Sequence, residues 1–153
     1  TRPILVELQA LVSSTSFGTP RRTILGLDHN RVALLVAVME KQLGMHLMGH
    51  DIFMNVAGGV KIMEPAVDMG IVSAIASSFL DRPIRKDTMV VGEVGLAGEV
   101  RAVGNADIRI SEARKMGFTR IVAPAGSLKR LRRPKDVTLE GVDTVGAAVE
   151  LLF

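Results

Sequence analysis

An α/β (α+β) domain is what this sequence predicts, and three observations carry the expectation. Short stretches alternate apolar and polar residues with the period of a strand, as from Ile4 to Val12. Longer stretches repeat apolar residues at helical spacing, as Val32, Leu35, Val36, Met39 and Leu43 do. Glycine, proline and aspartate punctuate the chain between them, giving the order β-β-α-β-α-β-β-α-β-β-α.

Taken in order, Ile4, Val6, Leu8, Ala10 and Val12 share one face while Glu7, Gln9 and Ser13 take the other, the pattern of a half-buried strand. A turn-rich loop from Ser13 to Pro20 leads to a second strand from Arg22 to Leu27, and the two are expected to pair as a hairpin. Asp28 is placed to cap a helix that Gly44 closes. Asp51 to Ala57 is the next strand, broken by Gly58 and Gly59. Pro65 suits the first turn of a helix, and Ala66 to Leu80 is apolar nearly all round, which makes that helix central. Asp81-Arg82-Pro83 stops it. Met89 to Glu93 and Glu99 to Val103 form a tight hairpin around the glycines at 95 and 98. A surface helix from Asn105 to Met116 ends at Gly117, and Arg120 to Ala123 is a buried strand. A basic stretch, a strand near Val137 to Leu139 and a helix from Gly146 follow. No internal repeat or long linker divides the chain, so a single domain over 1–153 is expected.

The composition is 48% hydrophobic and 3% aromatic, all of it Phe, so the core is built from aliphatic side chains and Met. The absence of Cys excludes disulfides, thiol catalysis and thiolate metal sites. His29, His46 and His50 lack ligand spacing, so no metal is expected. Ala66 to Leu80 is the stretch nearest to a membrane span, and Asp68 with three serines interrupts it. A strand pattern from the outset leaves no room for a signal peptide, and a first residue of Thr suggests a fragment of something longer. Net charge is +3, nineteen Lys and Arg against sixteen acids, so an anion-binding surface requires segregation of charge.

Asp68 stands where many enzymes mount a nucleophile, near the start of an apolar helix after a glycine-rich turn. The helix macrodipole also favours an acid there without any chemistry. Ser73, Ser77 and Ser78 lie deeper in that helix, with Lys61 as a conceivable base for one of them. Gly92 to Gly104 is glycine-rich but lacks the spacing of a P-loop or a dinucleotide fingerprint. Lys129 to Lys135 carries five basic residues in seven, either a solvated loop or a phosphate-tracking patch. With neither Trp nor Tyr there is no aromatic ladder, so backbone contact would dominate any nucleic-acid binding.

Read together, "LVELQALV", "PRR", "GLDHNR", "NVAGGVKI", "DRP", "GEVGLAGEVR", "ISEARKMGF" and "RIVAP" closely resemble the C-terminal domain of the RadA (Sms) family of bacterial DNA-repair and recombination ATPases, over essentially the whole chain. That domain is in turn similar to the proteolytic domain of Lon. The resemblance implies a Lon proteolytic-domain-like fold (ribosomal protein S5 domain 2-like) that assembles into six-membered rings. It also implies that the chain is an isolated C-terminal fragment, lacking the family's zinc-binding segment and RecA-like ATPase core. Lon-type peptidases use a Ser–Lys dyad. Matching their "SAGI" to "DMGI" puts Asp68 at the Ser position, and matching the Lys stretch to "GNAD" puts Asp107 at the other. Two acids cannot replace a hydroxyl nucleophile and an amine base, so no catalytic residue is expected.

The resemblance therefore implies a non-catalytic scaffold and DNA-binding surface for homologous recombination and branch migration. Arg21, Arg22, Arg31, Lys61, Arg101, Arg109 and Arg120 are the basic positions within the matching motifs. The implied partners are further copies in a hexamer, single-stranded or branched DNA and, through the longer protein, a RecA-type recombinase, with no membrane and a cytoplasmic location. ATP, Mg and Zn would belong only to the missing parts. Two other readings stay open: an assembly module without DNA contact, and a Ser peptidase using Ser73 or Ser77.

Overall fold

The structure, a computed structural model, describes residues 2–153. Eight strands and five helices of four residues or more build two three-stranded sheets and a small hairpin among the described residues. The first sheet joins β1 (Leu8–Ser14), β2 (Arg22–Leu25) and β3 (His50–Val56) in the order β1-β3-β2. β3 runs antiparallel to β1 and parallel to β2. The expected β1–β2 hairpin is thus corrected: the ladder bonds of both strands go to β3, which lies between them. A parallel β2–β3 pair needs a crossover, and helix α1 (His29–Leu43) supplies it. Asp28 caps α1 by accepting from the N–H of Asn30 at 3.0 Å, and Gly44 ends it with φ 66°.

β1 is also shorter than its alternation suggests. Leu8, Ala10 and Val12 face the core, whereas Ile4 is 83% exposed, and Leu5 is the residue of that segment that packs inward. Arg2 instead ties the segment to Glu112 at 2.8 Å.

After β3 comes a 3-10 turn (Ala57–Gly59), then a second one (Pro65–Val67) that leads into α2 (Asp68–Leu80). Met69, Ile71, Val72, Ile75 and Ala76 of α2 are each at most 1% exposed, as an all-round apolar helix requires. The second sheet has the order β4-β7-β8, all parallel, from β4 (Thr88–Val90), β7 (Arg120–Pro124) and β8 (Thr138–Val142). Every residue of β7 is buried, which fits a central parallel strand covered on both faces. Ile121 and Ala123 face a cluster with α3 (Ala106–Lys115), while Val122 joins the main core of α1, α2 and α5 (Val145–Leu152). A hairpin forms around the expected glycines, but only β5 (Glu93–Val94) and β6 (Val100–Arg101) pair in it. The expected Met89–Glu93 strand is corrected, because its first part is β4, which pairs with β7, and the chain turns at Gly92 before β5. Its turn is stitched to the start of α5 by the Val145 N–H donating to Gly98 O at 2.9 Å. A four-residue helix, α4 (Ala125–Leu128), precedes the basic run. No described helix is long and apolar enough to cross a membrane.

Candidate functional site

Asp68 opens α2 and is 0% exposed. A buried carboxylate must be matched or neutralised, and this one is matched on both oxygens. Arg31, from the first turn of α1, donates its Nε to Oδ1 at 2.9 Å and an Nη2 hydrogen to Oδ2. The backbone N–H of Val94 donates to Oδ2 at 3.0 Å, and Arg31 Nη2 also donates to the carbonyl of Val94 at 3.0 Å. One carboxylate thus joins α1, α2 and the β5–β6 hairpin in a closed ring of bonds. The pairing raises the Arg31 guanidinium pKa above its usual value, chiefly through the hydrogen bond to Asp68. Beside the pair lies a small cavity of about 110 Å³ bordered by Asp28, Glu64 and Ile71.

The local sequence explains this placement. The 3-10 turn at Pro65–Val67 positions the helix start, and the bonds of Gly92 N to Ala66 O (2.9 Å) and Met69 N to Gly92 O (3.0 Å) hold it against the second sheet. Asp107, at the other position implied by the resemblance, sits exposed in the first turn of α3 and shares no hydrogen bond with Asp68. The serines are not paired with a base among the described residues. Ser77 Oγ donates to Arg82 O at 2.5 Å, Ser78 Oγ accepts from the N–H of Val12 at 2.9 Å, and Ser73 Oγ is buried without a partner.

The seven basic positions fall into different settings. Arg31 is bound to Asp68, and Arg120, 9% exposed, donates to Glu140 at 2.7 Å and to Leu151 O at 2.8 Å. Arg109 holds Glu64 and the carbonyl of Gly104 at 2.8 Å, and Arg101 holds Glu99 at 3.1 Å. Arg22 donates to the carbonyls of His50 at 2.7 Å and Leu47 at 3.1 Å, and among the described residues no carboxylate lies within ion-pair distance of it. Arg21 and Lys61 are exposed, and neither makes an ion pair among the described residues. These two stand at opposite ends of β3, whose seven residues span about 20 Å. In the 129–135 run all five basic residues are exposed, and Arg133 also donates to Leu139 O at 2.9 Å. Among the described residues no three His, Asp or Glu side chains group to hold a metal ion.

Sequence reasoning did not find the Arg31–Asp68 pair. Its partners are 37 residues apart on two helices, and neither position carries a local signal of the other.

A family model described as subunit ChlI of Mg-chelatase matches residues 12–127. The chain is also similar to curated proteins named DNA repair protein RadA. That of Halalkalibacterium halodurans is 51% identical over 151 residues, 99% of this chain and 33% of that protein. That of Bacillus subtilis (strain 168) is 52% identical over 149 residues, 97% of this chain and 32% of the other. That of Streptococcus pneumoniae (strain R6) is 46% identical over 153 residues, all of this chain and 36% of the other. The chain spans about a third of the length of the curated relatives it matches.

Proposed function

This chain belongs to the family of subunit ChlI of Mg-chelatase, and from that premise, together with its likeness to proteins named DNA repair protein RadA, we propose that it is a Lon-protease-like, non-catalytic domain of a RadA-type repair protein. In this reading it gives a DNA motor its hexameric scaffold and part of its DNA-binding surface, in the cytoplasm, during recombination and branch migration. ATP, magnesium and zinc would be used by other parts of the longer protein. A RecA-type recombinase would be met there too.

The observation that carries the non-catalytic half is Asp68, fully buried and held by Arg31 and Val94, at the position that the resemblance to Lon-type peptidases would match to their serine. A carboxylate tied on both oxygens is neither a free nucleophile nor a mobile base. The DNA half rests on charge. Arg21 and Lys61 are exposed and make no ion pair among the described residues, which leaves both available to phosphate. Ring formation would repeat these separated cations around an axis, and avidity would raise weak single contacts.

Fluorescence anisotropy of labelled single-stranded DNA against this chain, over a range of salt concentrations, tests the reading. Log affinity is expected to fall linearly with log salt, and Arg21→Ala or Lys61→Ala each to reduce that slope by about 1. No binding at low salt would overturn the DNA half and leave an assembly module. Light scattering tests the hexamer, and casein cleavage would overturn the non-catalytic reading.

A further inference from the structure

Phe17 is 93% exposed, whereas the other four phenylalanines, at 53, 79, 118 and 153, are half-buried. A phenyl ring presents 150–250 Å² of apolar surface that favours a cover. Nor does the ring sit on a slack loop. The carboxylate of Asp51 accepts the Thr15 hydroxyl at 2.9 Å and the Arg21 N–H at 2.7 Å, so one side chain closes both ends of the loop. Thr15 N–H also donates to Gly49 O at 2.9 Å, and Ile52 N–H to Arg21 O at 2.9 Å. Within these clamps Gly18 turns the chain at φ 66°, and Pro20 fixes its exit.

The surroundings of the ring indicate what covers it. Met48, 72% exposed, belongs to the adjoining loop, which the Thr15–Gly49 bond joins to this one. Arg21 and Arg22 follow directly, and among the described residues no carboxylate pairs with either guanidinium. Asp51, the acid packed here, is engaged by Thr15 and the Arg21 backbone. An apolar ring on a clamped loop that runs directly into two arginines complements a ligand that alternates flat π faces with negative charge. Single-stranded nucleic acid has that chemistry, and duplex DNA keeps its base faces stacked away.

We infer that Phe17 is a stacking platform for one unpaired base, with Arg21 and Arg22 holding the flanking phosphates. This rests on the DNA-binding reading above and deepens it, since phosphate contact alone has no use for a ring.

The chain contains neither Trp nor Tyr, so Phe17→Trp installs a single reporter fluorophore at the proposed contact. On addition of oligo-dT its emission is expected to be quenched in step with binding, whereas an abasic oligomer of equal length or a duplex leaves it bright. Phe17→Ala is expected to weaken oligo-dT binding about 5- to 150-fold and to leave abasic binding unchanged. Melting temperatures of both variants should match the parent, because the ring stands clear of the core. Unchanged oligo-dT affinity in Phe17→Ala would overturn the platform and leave phosphate binding standing. So would a blue-shifted emission that grows with protein concentration without DNA, since a second copy would then be the cover. If the parent chain binds no DNA at low salt, the broader reading fails and the platform with it.

Discussion

Asp68 illustrates how one side chain's surroundings decide its role. An acid at a helix N-terminus is stabilised by the macrodipole, but at 0% exposure that alone does not offset the loss of water. The bidentate Arg31 and the Val94 N–H do so. Removing the acid leaves a guanidinium aimed into protein, although Arg31's side chain is 31% exposed and water recovers part of the loss. Asp68→Ala should therefore lower unfolding stability by about 2–3 kcal/mol, at or below the usual range for breaking a buried pair, as read from urea denaturation. Asp51 is the second residue with a defined electrostatic task. The Arg21 N–H, then the Thr15 hydroxyl, hold its carboxyl below the ordinary Asp range. A depressed acid contributes stability that is fully present above its unfolded pKa and is lost as pH falls through the folded value. The clamp on the Phe17 loop should thus loosen only below about pH 4. Thr15→Val should shift the Asp51 titration upward, which NMR chemical shifts followed against pH would detect.

Among the elements, the β5–β6 hairpin shows why a glycine-rich motif need not bind a ligand. Gly98 has φ 82°, and a Cβ there would stand 2.9 Å from Gln42 Cγ and 3.3 Å from Val145 Cγ2. The glycine serves a left-handed turn pressed between α1 and α5. Gly98→Ala should cost more than about 1 kcal/mol and lower the melting temperature by several degrees in a thermal scan. This hairpin was legible because its signal is local, as were α1 with Asp28 and Gly44 at its ends and the all-apolar α2. The β1–β2 hairpin was misread because alternation reports which face a residue takes and says nothing of the neighbouring strand. β3, 25 residues past β2, takes the middle place. α4 escaped notice because four residues are too few to show a helical period.

At the scale of the whole molecule, α2 packs beneath both sheets, and the two hydrophobic clusters meet at the second sheet, whose faces are both covered. The arrangement leaves Arg21 and Lys61 at opposite ends of β3. The sequence by itself determined the fold class, the three long helices with their caps, and the aliphatic core, because periodicity, caps and turns are written in adjacent residues; it merged β4 with β5 and missed α4. It also placed an acid at the start of α2 and a phenylalanine in a turn-rich loop. Only the tertiary structure decided that Asp68 is bound by Arg31, that Arg120 lies within the sheet while Arg21 stays free, and that Phe17 is held out into solvent. Those outcomes depend on which distant groups share a desolvated space, and the Coulomb and hydration energies there act through distance in three dimensions.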